Sequence, residues 1–531
     1  MSRAQVTSLI CNNFGGIRRK DASFSDEKIT CSDCQNVELF YTEQNNGVGI
    51  RTTKGNVLFH NFNNEDIVGL FESNQGGKKV VFVYTEDTSN GYLYQCDFMN
   101  SIFTKLDFTL QKTGMACATD FVSGYSDYFV FSNGEKVVFL YTDNTKPIKT
   151  IETPAMNIAP FNTRFDVDGN LISNHGTTAT GLGLAVFDNK LWIFNDNVLY
   201  FSYKGVPTDF VTQDADKPEA SAGFIELTKP ITAIHEYLGK LAVFHKDSSC
   251  LVSPNASTIY SIEDESPGGC ASYNSLVFHG TDLYFYDDTK KGVYGFAQIV
   301  NGDKTLTSNI AEDLQEEFML IPSTNLNKIR TMSVVTEDRN EVWFILPISY
   351  GSNRTLILIF DYIRGEWLKR YSNKINCLFV YESDLYSGGN KLYKEYQSDT
   401  FDGEFIESFY KCSIFNYGTD NTLKITKYPP RLTVDICDGC DFVIEYVRNY
   451  DTTKKSKTKE IKSKFANKVL VYDNDMKYDE GHQYKHSANA IVKLPSTTFK
   501  ALEMNFKTEI DKPYFAIKNI EFSKLKVKQV W

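Results

Sequence analysis

Four groups of residues in this chain have the types and spacing that could do chemistry. Two CxxC pairs, Cys31/Cys34 and Cys437/Cys440, could together supply four thiolates to a tetrahedral zinc ion. They stand far apart, however. The first pair falls in an expected helical turn, and Asp438-Gly439 inside CDGC reads as a hairpin turn, so packed thiols are the simpler expectation. Asp166-Val167-Asp168-Gly169-Asn170 resembles the start of a calcium loop, with Asp166, Asp168 and Asn170 as candidate ligands. A complete loop of that kind closes on Glu at its twelfth position, where Thr177 stands, so a plain turn is favoured.

The basic run Lys454, Lys455, Lys457, Lys459, Lys462, Lys464 and Lys468 is the strongest positive cluster. Only Phe465 lies within it to stack a base, so a solvated hairpin loop is the plainer reading, and contact with DNA or a neighbouring subunit the sharper one. The histidines, at 60, 175, 235, 245, 279, 482 and 486, form neither an HExxH pattern nor a Ser/His/Asp order. The segment around His482 and His486 reads as a strand. Gly176, Gly181 and Gly183 lack the lysine and the spacing of a phosphate loop. No catalytic residue, cofactor or firm metal site follows from these groups.

The elements that must position these residues are strands. At least five times the chain repeats an aliphatic and aromatic strand, a turn of Gly, Asn or Asp, and a second such strand, at 80–95, 128–141, 184–203, 231–252 and 275–296. Segments 341–367 and 375–396 extend the series. Short runs such as Leu191-Trp192-Ile193-Phe194, bounded by turn residues, favour strands over helices. A recurrence of roughly 40 to 60 residues matches the spacing of propeller blades. The expected fold is all-β: a propeller of about six to eight blades, an N-terminal arm and a C-terminal β-sandwich-like domain.

The expected divisions are 1–60, an arm with a short helix capped by Ser25 and then a hairpin; 61–408, the propeller; and 409–531, a basic β domain. Lys28, Ile29 and Ser32 fall within the turns of that helix. A polar stretch at 145–180 interrupts the repeats and reads as a projecting loop.

At 531 residues the chain exceeds one comfortable core. Its 39 Phe and 31 Tyr suit strands that pack on other sheets, while only 4 Trp argue against a carbohydrate lectin. There is no run of about twenty apolar residues and no signal-peptide core, so synthesis in a cytoplasm and no membrane insertion are expected. The 11 cysteines are odd in number and scattered, which points to reduced, buried thiols. The net charge of −11 hides an asymmetry. From Asn421 onward 21 Lys and Arg face 14 Asp and Glu, leaving 35 against 53 in the preceding residues. A strongly acidic surface repels DNA phosphates more readily than it grips them.

These pieces resemble the tail nozzle and stabilisation β-propeller proteins of short-tailed bacteriophages, crAss-like phages included. The opening carries Gly15-Gly16, Asn36-Val37-Glu38-Leu39, Gly49-Ile50-Arg51 and Gly55 where that family has its Gly-Gly, Asn-strand and Gly-x-Arg-x-x-x-Gly segments. Segments 186–210, 239–252 and 267–296 follow the family's order, with Gly269-Cys270 at its Gly-Cys step, and Asn340 to Phe344 with Tyr362 and Trp367 resembles a late blade.

The resemblance implies a virion structural protein, made in the host bacterial cytoplasm. Identical copies, six by the family pattern, would form a ring or nozzle below the portal. Portal, adaptor and other tail proteins would be its neighbours, and DNA would pass through the lumen without specific binding. Neighbour contacts are expected from the arm, the 145–180 loop and the basic domain. A receptor- or glycan-binding propeller and a propeller glycoside hydrolase are the alternatives. The latter should show Asp-box repeats, which are missing.

Overall fold

The computed structural model describes residues 5–19, 28–42, 47–75, 78–123, 126–143, 156–157, 183–210, 212–301, 308–350, 354–414, 422–426, 430–435, 442–448, 457–461, 489–493, 498–499, 502–510 and 513–529. The protein is all-β, with only short helical turns among these residues. None of its helices is long and apolar enough to cross a membrane, among the described residues. The chain divides into two compact units: Met1–Val57 with Leu358–Ser372 and Tyr396–Trp531, and Leu58–Ile357 with Asn373–Glu395.

In the larger unit, sheets of antiparallel strands follow one another along the chain, the first five built wholly from consecutive strands. The first holds Asp66–Gln75, Lys78–Glu86, Asn90–Asp97 and Ile102–Lys105, and the second Cys117–Val122, Ser126–Ser132, Val137–Asp143 and Met156–Asn157. The third runs from Leu184–Phe187 through Lys190–Asn195 and Val198–Phe201 to Gly223–Glu226. Ala233–Tyr237, Lys240–Phe244 and Ser248–Asn255 begin the fourth, and Leu276–His279, Asp282–Asp287 and Gly292–Gly295 make the fifth. A sixth opens with Arg330–Val335 and Asn340–Tyr350, and a seventh with Ile375–Tyr381 and Asp384–Gly389. The repeated strand-turn-strand segments are these hairpins.

Period-2 alternation explains how the sheets stack, since successive side chains leave a strand on opposite faces. Val81 and Val83 join Cys377, Tyr386 and Leu392 of the seventh sheet. Their neighbours Phe82 and Tyr84 join Phe129 and Phe131 of the second, and Phe82 stacks on Phe129 at 4.1 Å between ring centroids. Val130, between those two phenylalanines, faces Leu184, Leu191 and Ile193 of the third sheet. Trp192 and Phe194 then pack with Leu241 and Val243 of the fourth. Opening strands of neighbouring sheets touch in turn: Asp66–Gln75 with Cys117–Val122, that strand with Leu184–Phe187, and Leu184–Phe187 with Ala233–Tyr237. The 3-10 turn Tyr273–Ser275 touches Ala233–Tyr237 of the fourth sheet and Arg330–Val335 of the sixth, Leu276–His279 of the fifth touches Arg330–Val335, and Ile375–Tyr381 touches both Arg330–Val335 and Asp66–Gln75.

The smaller unit draws on both ends of the chain. Strands from 1–60 and from 409–531 share two sheets. One runs Val37–Thr42, Gly47–Thr52, Ala516–Gln529, Thr422–Thr426, with Gln5–Cys11 and Arg431–Asp435 also on the long strand Ala516–Gln529. The other runs Phe14–Ile17, Ile29–Gln35, Phe409–Cys412, Leu502–Lys507, Phe442–Arg448, Lys457–Ile461. An edge strand needs a partner for its open N–H and C=O groups, and here the partner lies at the far end of the chain. The hairpin expected after the arm is present as Val37–Thr42 with Gly47–Thr52.

One expectation changes. Ile29 and Ser32 lie in a strand, not in helical turns, because Phe409–Cys412 supplies a ladder for them. Asp438-Gly439 lies outside the described residues, and the described strands on either side, Arg431–Asp435 and Phe442–Arg448, belong to different sheets. Of the 145–180 segment only Met156–Asn157 is described, and it forms a short edge strand opposite Leu140 and Phe139.

Candidate functional site

Several of the residues that carry the resemblance occupy tightly constrained places in the smaller unit. A Cβ on Gly16 would lie 2.3 Å from the carbonyl oxygen of Trp367, so no side chain fits there. The Gly16 N–H instead donates to Glu366 Oε2 at 2.6 Å. Glu366 is buried and is paired with Lys28, with Arg18 at 3.6 Å. The Tyr410 hydroxyl donates to the carbonyls of Gly15 and Ile29, each at 2.8 Å. One buried carboxylate and one buried phenol therefore hold the Gly-Gly segment in place.

Asn36 is fully buried with φ +51°, a conformation asparagine tolerates better than most side chains. Its amide donates to Glu407 O at 2.8 Å, and its side-chain oxygen accepts from Tyr371 N at 2.8 Å. Its backbone N–H reaches Lys369 O, and Thr53 N reaches its carbonyl, both at 2.9 Å. A single residue, through side chain and backbone together, thus joins four stretches of chain.

Arg51 lies opposite Glu38 in the hairpin and donates to it at 2.6 Å. Gly49 and Gly55 are close-approach glycines: a Cβ would lie 2.6 Å from Ile517 O and 1.9 Å from Thr400 O respectively. In the larger unit Gly269 sits equally close to Lys246 O, at 2.1 Å, and donates to the buried Asp287 at 3.2 Å. The Cys270 N–H donates to His245 O, its thiol turns toward Ser272 O, and burial pushes that thiol up to about 12. These are interlocking positions, not reactive ones.

Asp166, Asp168 and Asn170 lie outside the described residues, as do Lys454, Lys455, Cys437 and Cys440. Lys457 and Lys459 are on the strand Lys457–Ile461, opposite Tyr446 and Ile444. The described histidines are dispersed. His60 stacks on Phe103 at 4.0 Å, His245 Nδ1 meets Pro230 O at 2.9 Å, and His279 Nδ1 meets Ser333 Oγ at 2.8 Å. Gly183 is a packing glycine against Tyr273, with 2.4 Å for a Cβ, and does not cradle a ligand.

Three buried cations carry no motif that spacing alone would single out. Lys190 donates to Ser221 O at 2.8 Å with the rings of Phe201 and Tyr260 at 4.7 and 5.2 Å, and burial draws its amine down to about 8. Arg330 spends its guanidinium on backbone carbonyls, Asn327 and Gly114 at 2.7 Å and Ile329 at 3.3 Å. Arg370 donates to Thr53 Oγ1 at 2.6 Å and lies over Tyr396 and Phe401. A charged residue inside an apolar run, such as Lys190 before Leu-Trp-Ile-Phe, is the only signal that could have flagged one of them.

The first CxxC pair gains a meaning that its spacing did not carry. Ser32 is an extra residue in its strand: Cys31 faces Cys412, while Asp33 faces Lys411 and Cys34 faces Tyr410. This bulge turns Cys34 onto the same face as Cys31. Cys31, Cys34 and Cys412 are free thiols, each buried. Burial above all, with the Cys34 sulfur beside Cys31 and the Glu503 carboxylate near Cys412, holds both thiols well above the usual thiol range. Among the described residues no group of three or more His, Cys, Asp or Glu is placed to hold a metal ion. No family model matches this chain, and no curated protein matches it.

Proposed function

We propose that this chain is a structural protein of a bacteriophage tail, one of several identical copies forming a ring or nozzle around the DNA channel below the portal. The ring would retain the packaged genome and conduct it at ejection. The observation that carries this reading is the placement of the resemblance residues. Gly16, Asn36, Gly49 and Gly55 stand where the fold tolerates little else, and Gly15 and Arg51 are held by hydrogen bonds beside them.

The larger unit is read as a propeller. Its first five sheets are consecutive antiparallel meanders, opening strands touch in turn from the first sheet to the fourth and from the fifth to the seventh, and the seventh touches the first. A radial architecture of this kind removes long open edges. Closing identical copies into a ring takes heterologous contacts between two different faces of each copy, and six copies are the family pattern. The acidic balance of residues 1–420 suits a lumen along which DNA slides, since like charge prevents sticking.

The test is mass spectrometry of density-purified extracellular particles from a culture expressing the gene. Recovery in amounts comparable to other ring components supports a virion part, and absence from such particles sinks the tail reading. Reversing several acidic residues on the lumen side should slow ejection while assembly survives. Unchanged ejection kinetics would remove the sliding-channel part alone.

A further inference from the structure

We propose that Cys31 and Cys412 form a latent cross-strand disulfide site, a covalent clasp between the N-terminal strand Ile29–Gln35 and the strand Phe409–Cys412. Both strands belong to the smaller unit, so the inference stands apart from the tail reading.

Register carries the argument. Cys31 and Cys412 are directly opposite in an antiparallel pair. Ser413 N donates to Thr30 O at 2.8 Å, which makes Thr30 and Ser413 the hydrogen-bonded pair. The Cys31 carbonyl instead accepts from Arg18 N on the other side of the strand, at 2.8 Å. Cys31 and Cys412 are therefore the next, non-hydrogen-bonded pair, where opposed Cα atoms approach to about 4.5 Å and side chains come closest. That separation falls inside the range of roughly 4.4 to 6.8 Å that disulfides span. Buried free cysteines usually act as small apolar fillers. Two of them opposed at the one register position that suits a bridge are a more specific arrangement.

The Ser32 bulge adds a third thiol. Cys34 shares the face of Cys31 and lies opposite Tyr410, so it competes for Cys31 along the strand while Cys412 competes across it. The opposed geometry favours Cys412. Burial keeps all three thiols shielded, so oxidation proceeds when the sheet opens, before or during folding.

The oxidant is a small-molecule disulfide such as oxidised glutathione. The thiolate of one cysteine attacks an oxidant sulfur, forming a mixed disulfide and expelling one glutathione thiolate. The second cysteine thiolate attacks the protein sulfur of that mixed disulfide and expels the other. Two protons and two electrons leave the protein, one S–S bond forms in it, and the oxidant's S–S bond is reduced to two thiols.

The experiment equilibrates the full chain in glutathione buffers of graded oxidised fraction, quenches with an alkylating agent under denaturing conditions, and maps peptides without reduction. The expected product is a peptide pair joining Cys31 to Cys412 that rises with the oxidised fraction. The oxidised chain should melt several degrees above the reduced one, since a bridge closing so long a loop restricts the unfolded chain strongly. C412A should lose the linked pair and the melting shift, and C34A should retain both. Full alkylation of Cys31 at every buffer ratio overturns the proposal, and so does a linked pair joining Cys31 to Cys34. The wild-type map decides the matter even where a variant fails to fold.

Discussion

Arg330 donates through Nη2 to the carbonyl oxygen of Gly114 at 2.7 Å, although 216 positions separate them in the chain. Arg330 opens the sixth sheet and Gly114 precedes the second, so one buried guanidinium ties together parts of the larger unit that no hairpin connects. Replacing it by Ala orphans carbonyls at Gly114 and Asn327, each hydrogen-bonded now to a charged donor worth about 1.5–3 kcal/mol. R330A should therefore lower stability by about 3 kcal/mol or more in denaturant unfolding, and R330K should recover only part of it because lysine lacks the fork. An R330A midpoint equal to wild type would dismiss the guanidinium as a tie.

Asn36 combines a positive φ with two side-chain hydrogen bonds, and substitutions separate these roles. N36G keeps the backbone free but orphans Tyr371 N and Glu407 O, at a cost of about 2–4 kcal/mol. N36A adds roughly 1–2 kcal/mol of left-handed strain. Thermal melts should rank wild type above N36G and N36G above N36A. A reversed order of the two variants would mean that the backbone conformation is not what Asn36 supplies.

Gly55 and Gly239 are glycines for different reasons. At Gly55 a Cβ meets Thr400 O at 1.9 Å, whereas at Gly239 φ is +74° with nothing within 4 Å. G239A should cost only about 1 kcal/mol of backbone strain. G55A requires the backbone to move and should cost more than about 3 kcal/mol, or prevent soluble expression. Similar melting temperatures for the two variants would contradict the close approach.

Stability should fall as pH rises above about 9. Burial pushes the thiols of Cys117, Cys250, Cys270 and Cys377 up to about 12, from an ordinary value of 9.0. The unfolded chain loses these protons first, so above pH 9 the native state binds more protons and the slope of stability against pH is negative. Each such thiol contributes roughly 1.4 kcal/mol per pH unit in that window. Lys190 acts in the opposite sense: its amine, drawn down to about 8 from 10.5, costs stability below pH 8 and relieves it between those values. Four thiols outweigh one amine, so melting temperature should decline from pH 9 to 11. A C117A/C250A double variant should decline less steeply, and a flat profile in the wild type would reject the thiol contribution.

Removing residues 1–36 should damage the whole smaller unit instead of merely detaching an arm. The deletion takes Gln5–Cys11, Phe14–Ile17 and Ile29–Gln35 out of its two sheets and strips Phe409–Cys412 and Ala516–Gln529 of partners. Limited proteolysis of the truncated chain should cut within 409–531 at protease levels that leave the intact protein whole. Equal protection of that region would show that the N-terminal strands are dispensable to it.

The all-β class, the hairpins and the acidic and basic parts were legible in the sequence because each is local. Alternation over a few residues decides which face of a strand is apolar, and a turn residue decides where it reverses. Phe82 and Val83 could be assigned opposite faces before any fold was known. Tertiary structure alone decided that Ile29–Gln35 is a strand, since its ladder partner Phe409–Cys412 comes from the far end of the chain. Only that pairing creates the Ser32 bulge, sets Cys31 opposite Cys412 and makes Asn36 a junction of four segments. Which open edges meet depends on the whole surface each sheet presents, and no window of neighbouring residues contains that information.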